Sequence, residues 1–160
     1  MRKIKFETGG VYHIYNRGVE KRDIFLSDGD RWRFLQGMYL FNDESTATNL
    51  LYRLEREKGK MHFGILQEYM KQKGIARKPL VRIMADCLKP NHFHLLIEEI
   101  QERGISRFMH KLGTGYTQYF NKKYERGLVG IEDYSHVIVV YWLNRETECH
   151  LRHHPQGRKD

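Results

Sequence analysis

Hydrophobic positions along the chain change period several times, and each change marks an element. Val11-Tyr12-His13-Ile14-Tyr15 follows Gly9-Gly10 and stops at Asn16-Arg17-Gly18. β-Branched and aromatic residues between turn formers predict a strand. Asp28-Gly29-Asp30 offers a helix start, and Trp32, Phe34, Leu35, Met38, Tyr39 and Phe41 then recur at helical spacing. Leu50, Leu51 and Leu54 open a charged helix, and Ile65, Leu66, Tyr69 and Met70 form a second amphipathic set closed by Lys73-Gly74. Residues 42–79 are too few to bury a core alone, so they read as a helical insertion in one domain over 1–150. Leu80 to Leu88 and His92 to Glu98 are strand-like runs around Lys89-Pro90-Asn91, which predicts a hairpin. Gly104 and Ser106 precede a helix with the stripe Ile105, Phe108, Met109, Leu112, Tyr116, Tyr119 and Phe120. The tail supports two readings. Val137-Ile138-Val139-Val140 has strand propensity, yet Tyr134, Val137, Ile138, Tyr141, Asn144 and Arg145 share one face of a helix. Residues 151–160 are expected to fray.

Charge changes the picture. Lys plus Arg is 28 against 20 Asp plus Glu, a net +8. Such a balance favours phosphate polyanions or acidic surfaces as partners. The longest apolar run, Val137–Leu143, falls far short of the about 20 residues a membrane span needs. The basic start, Met1-Arg2-Lys3-Ile4-Lys5-Phe6, lacks the apolar stretch of a secretory signal. Cys87 and Cys149 make no CxxC and no disulfide framework, so a cytoplasmic setting is expected.

The sharpest chemical feature is His92-Phe93-His94. On a strand, alternate side chains share a face, so the two imidazoles lie together while Phe93, Leu95 and Ile97 point to a helix-covered side. Two neutral imidazoles on one face can hold a divalent cation and leave positions for substrate oxygens. HExxH, HxE with PCxxC, GxxxxGK[ST] and GxSxG are all missing, which excludes the commonest zinc protease, zinc deaminase, nucleotide-binding and α/β-hydrolase signatures. If the chemistry is phosphoryl transfer, a tyrosine can serve as nucleophile. Packing accounts for Tyr12, Tyr15, Tyr116 and Tyr119; Tyr141 shares a helical face with Asn144 and is not so readily assigned to packing. An unrelated metal hydrolase stays open at this point.

Leu88-Lys89-Pro90-Asn91-His92-Phe93-His94-Leu95-Leu96-Ile97 resembles the MPNHFHLLL signature of HUH-type (His-hydrophobe-His) single-strand DNA transposases, and within them the REP-associated tyrosine branch. Tyr12 to Gly18 is similar to the family's opening strand. Asp23-Ile24-Phe25 with Asp28 and Asp30 is similar to its "IF…DD" approach to the first helix. Residues 104–112 and 116–121 resemble its later helix. The resemblance implies an α/β (α+β) fold: a ferredoxin-like, RRM-like antiparallel sheet with helices on one face and the His pair on the other. It also implies cleavage and rejoining of single-stranded, hairpin-forming DNA through a 5′-phosphotyrosyl intermediate, by a homodimer using Mg²⁺ or Mn²⁺. His92 and His94 carry over as metal ligands. Asp133-Tyr134 followed by Tyr141-Trp142-Leu143-Asn144 resembles the helix that bears the nucleophile, which makes Tyr141 the nucleophile and Asn144 a third metal ligand. Tyr116 is the fallback nucleophile. A family segment reading FQGRYK is missing between Gly127 and Asp133. The amide follows Tyr141 by three places instead of four, and the usual proline is absent. The alternative is an inactive relative that only binds DNA or RNA hairpins. In either case Arg17, Lys21, Arg22, Lys111, Lys122, Lys123 and Arg126 are candidates for a basic rim along the nucleic acid.

Overall fold

In the computed structural model, which describes residues 5–45, 50–58, 62–72 and 77–125 and the backbone of 138–143, strand alternation sets the layers. On β1 (Val11–Arg17), Tyr12, Ile14 and Asn16 are buried while His13 and Tyr15 are half-buried. On β3 (His92–Glu99), Phe93, Leu95, Ile97 and Glu99 are buried and the residues between them half-buried. Each strand therefore has a core face and an outer face, as period-two side-chain placement requires. β2 (Val81–Lys89) and β4 (Ile138–Leu143) complete a four-stranded sheet in the order β2-β3-β1-β4, with every neighbouring pair antiparallel. Among the described residues the α-helices are α1 (Asp28–Phe41), α2 (Leu50–Lys58), α3 (Phe63–Gln72) and α4 (Gly104–Lys123). With α2 and α3 set aside, the order β-α-β-β-α-β and this strand arrangement are the ferredoxin-like pattern.

The core face is filled by aromatics from α1, α4 and the sheet. Phe34 meets Phe93 at 4.8 Å and Tyr116 at 5.2 Å between ring centroids, and Phe25 stands edge-on to Phe34 at 5.3 Å. Leu50, Leu51, Leu54 and Leu66 from α2 and α3 are buried with them. The chain just before α2 and just after α3 is stitched together at Asn42. Asn42 Oδ1 accepts from Leu80 N and Val81 N, both at 3.0 Å, and its Nδ2 donates to Val81 O at 2.8 Å. The stripe expected on α1 differs at one residue: Trp32 is 57% exposed and lies edge-on to Phe63.

Two glycines are fixed by close approach. A Cβ at Gly18 would stand 2.2 Å from Arg22 O, and one at Gly104 would stand 2.1 Å from Leu80 O. Gly104 opens α4, whose first turn is capped by buried Glu99, a carboxylate accepting from Arg103 N at 3.1 Å and Ile105 N at 3.2 Å. The end of the chain corrects one expectation. Residues 138–143 form a strand, so the helical relation expected between Tyr141 and Asn144 does not hold at Tyr141, and β-branched propensity prevails over the helical pattern. Asn144 and residues 151–160 lie outside the described residues.

Candidate active site

His92 and His94 stand on the outer face with ring centroids 5.1 Å apart and planes at 81°. Their placement begins with the turn before them. Pro90 O accepts from Ile24 N at 2.8 Å and Phe25 N at 2.9 Å, while Asn91 O accepts from Gly18 N at 2.9 Å. The turn is thus fastened to the end of β1. Asn91 Nδ2 donates to Lys21 O at 3.1 Å, which fixes the orientation of the amide. Its Oδ1 faces His92 Nδ1 at 2.6 Å. An amide oxygen only accepts, so His92 donates from Nδ1, and in a neutral ring that contact leaves the lone pair on Nε2.

β1 supplies two groups that sequence reasoning did not place in the site. His13 Nε2 lies 2.9 Å from His94 Nδ1, and the two rings meet edge to edge, with centroids 5.1 Å apart and planes 19° apart. Tyr15 packs against both imidazoles, 5.5 Å from His92 and 5.1 Å from His94. Burial, reinforced by the neighbouring His13, His92 and Lys89, lowers the pKa of His94. The neutral, ligating form is the one favoured. A signal was present: alternation about Tyr12 and Ile14 puts His13 and Tyr15 on one face. Which strand lies beside β1, however, is a long-range fact.

The donor chemistry suits a divalent cation in part. Two imidazoles, each with its Nδ1 engaged by another side chain, have the outer-shell support typical of metal-ligating histidines. Among the described residues no group of three or more His, Cys, Asp or Glu side chains is placed to hold a metal ion. A fuller shell needs residues beyond those described, or oxygens from substrate and water. The sequence of residues 53–141, which includes both histidines, matches the model of the family described as transposase IS200 like. The chain belongs to that family. Nothing among curated proteins and nothing among solved structures matches it. Membership makes this IS200-like chain a DNA-processing protein of the transposase class, with DNA as its partner. Among the described residues no helix is long and apolar enough to cross a membrane.

The remaining candidates fall in different places. Tyr116 lies on the core side of α4, and its hydroxyl donates to Ile24 O at 2.5 Å. Burial, with the Asp30 charge behind it, raises its pKa far above the ordinary phenol range. That geometry gives Tyr116 a packing role, on the opposite side of the sheet from the imidazoles. The backbone of Tyr141 is in β4. Tyr12 pairs with Trp142 and Ile14 with Val139, so Val140 and Tyr141 stand opposite His13 at a register irregularity. The imidazole end of the sheet is also where Arg17 and Lys89 pair with His92 from either side. Lys89 was not among the residues expected to meet DNA. Lys21 lies in the 3-10 turn Val19–Lys21 after β1, and Arg22 pairs with Glu20. Lys111 Nζ donates to the carbonyls of Asp43 and Glu44 at 2.6 and 2.9 Å, and Lys123 Nζ to Asp30 Oδ1 at 2.6 Å. Lys122 lies in the last turn of α4, and Arg126 falls outside the described residues.

Proposed function

We propose that this chain cleaves and rejoins single-stranded DNA, with His92 and His94 holding Mg²⁺ or Mn²⁺ and Tyr141 as nucleophile. The observation that carries the proposal is the pair of half-buried imidazoles on one sheet face, each oriented through its Nδ1, within the matched span. When bound, the cation supplies positive charge opposite the non-bridging phosphate oxygens. The phenol gives up its proton as its oxygen attacks phosphorus, the P–O3′ bond breaks, and the 3′ oxygen takes up a proton and leaves as a hydroxyl. The 5′-phosphotyrosyl bond retains the energy of the phosphodiester, so the reverse attack by a 3′-OH rejoins the strand without a nucleotide cofactor. On this reading Arg17 and Lys89, the neighbours of His92 on either side, receive the flanking phosphates, and Lys21 and Arg22, in and just after the turn that follows β1, are further candidates.

Tyr15 packs against both histidines and is the second candidate phenol. A single-stranded hairpin labelled on its 3′ side, incubated with Mn²⁺ and resolved on a denaturing gel, separates the readings. A labelled protein band that needs Mn²⁺ and disappears in Tyr141→Phe supports the proposal. A band that survives Tyr141→Phe and disappears in Tyr15→Phe moves the nucleophile to β1. Hairpin binding with no band favours the inactive, binding-only alternative. We place the protein in the cytoplasm as a homodimer, with the helices α2 and α3 as an insertion in one domain.

A further inference from the structure

A neutral imidazole carries one N–H, so the 2.9 Å contact between His13 Nε2 and His94 Nδ1 has two possible proton assignments. If His13 donates, His94 holds its own proton on Nε2, and the nitrogen facing a cation is blocked. If His94 donates, its Nε2 lone pair is open. We propose that His13 is a positioning residue: its Nε2 accepts the Nδ1 proton of His94 and so holds the His94 Nε2 lone pair toward the cation site. The inference rests on the metal reading above.

Three observations fix His13 in this part. It pairs with Leu96 and Tyr15 pairs with His94, so His13 reaches His94 along the diagonal of an antiparallel pair. The two rings lie edge to edge in nearly one plane, 19° apart with centroids at 5.1 Å, which points the lone pair of one ring nitrogen at the other as an N–H···N bond requires. His92, the other proposed ligand, has its Nδ1 held by the Asn91 amide oxygen, so both ligands receive the same support from different elements.

The test uses the full chain. Histidine tautomers are read by ¹⁵N long-range NMR of cation-free protein at a pH where the imidazoles are neutral, and Mn²⁺ affinity by calorimetry. His94 is expected as Nδ1–H in the wild type and in His13→Gln, whose amide oxygen can also accept. In His13→Phe it is expected to revert toward Nε2–H, the form a free imidazole prefers, with Mn²⁺ affinity falling about 10–100-fold. His13→Gln recovers most of that affinity. The inference is overturned if wild-type His94 carries its proton on Nε2. It is equally overturned if His13→Phe, with an intact amide fingerprint, leaves tautomer or affinity unchanged. If the wild type binds no Mn²⁺, the metal reading fails, and the spectra still decide whether His13 sets the tautomer.

Discussion

Replacing Asp30 by asparagine should loosen the join between the start of α1 and the end of α4. The Asp30 carboxylate is fully buried and accepts five hydrogen bonds. Leu26 N and Ser27 N reach Oδ2 at 2.9 Å and Tyr124 OH reaches it at 2.7 Å, while Tyr119 OH and Lys123 Nζ reach Oδ1 at 3.0 and 2.6 Å. Burial by itself would raise the pKa. Hydrogen bonds from Lys123, Tyr124, Tyr119 and Ser27 outweigh it and hold the carboxyl at about 2, against 3.8 for the free group. The difference corresponds to about 2 kcal/mol of stability at neutral pH. Because the folded pKa is the lower one, that contribution is complete above the unfolded value and fades as pH falls from 3.8 toward 2. Asparagine removes the charge and leaves the Lys123 ammonium without its carboxylate, so the total cost should be about 3–5 kcal/mol. In a chain of this size that lowers Tm by on the order of 10 °C. Urea titrations at pH 7, 5, 4 and 3 measure both quantities. Wild type should lose its extra stability through this window, and Asp30→Asn should start lower and show a flatter profile. Parallel profiles for the two proteins, or a cost below about 1 kcal/mol, would refute the charge-clamp reasoning.

Other perturbations address other parts of the account. Gly104→Ala forces a Cβ to within 2.1 Å of Leu80 O, and thermal melts should show a loss of about 1–3 kcal/mol. Glu99→Ala removes the acceptor for Arg103 N and Ile105 N, costing about 1–3 kcal/mol in urea titration, with faster hydrogen exchange in the first turn of α4. Asn91→Ala frees His92 Nδ1, and Mn²⁺ affinity by calorimetry should fall about 10-fold or more while the fold persists. Tyr116→Phe loses one bond to Ile24 O, about 1 kcal/mol of stability, and should leave adduct formation intact at a temperature where the variant is folded.

Local pattern carried most of the architecture. β1, the hairpin around Pro90-Asn91, α1 and the stripe of α4 all stand where alternation and helical recurrence put them. The His pair was legible for the same reason, since two residues on one strand share a face whatever the strand pairs with. Trp32 shows the limit of a periodic stripe: helical spacing identifies a face, but only the neighbouring α3 decides how much of that face is covered. The tail was ambiguous because a short β-branched run fits either period, and pairing with β1 resolves it as strand. His13 illustrates the larger gap. Its contact with His94 spans 81 positions, and no local signal indicates that β1 will lie beside β3. Lys123 is similar: the sequence offers it as part of a basic rim for nucleic acid, yet it pairs with Asp30 from 93 positions away.

The most direct measurement of the central claim is peptide mapping of the covalent product. Wild-type protein is incubated with Mn²⁺ and single-stranded hairpin DNA, digested with protease and nuclease, and analysed by tandem mass spectrometry. The account predicts a nucleotide phosphate on Tyr141, with no modified peptide when His92 or His94 is replaced by alanine. Modification of a different tyrosine, or an unmodified protein that still binds the hairpin, would contradict it.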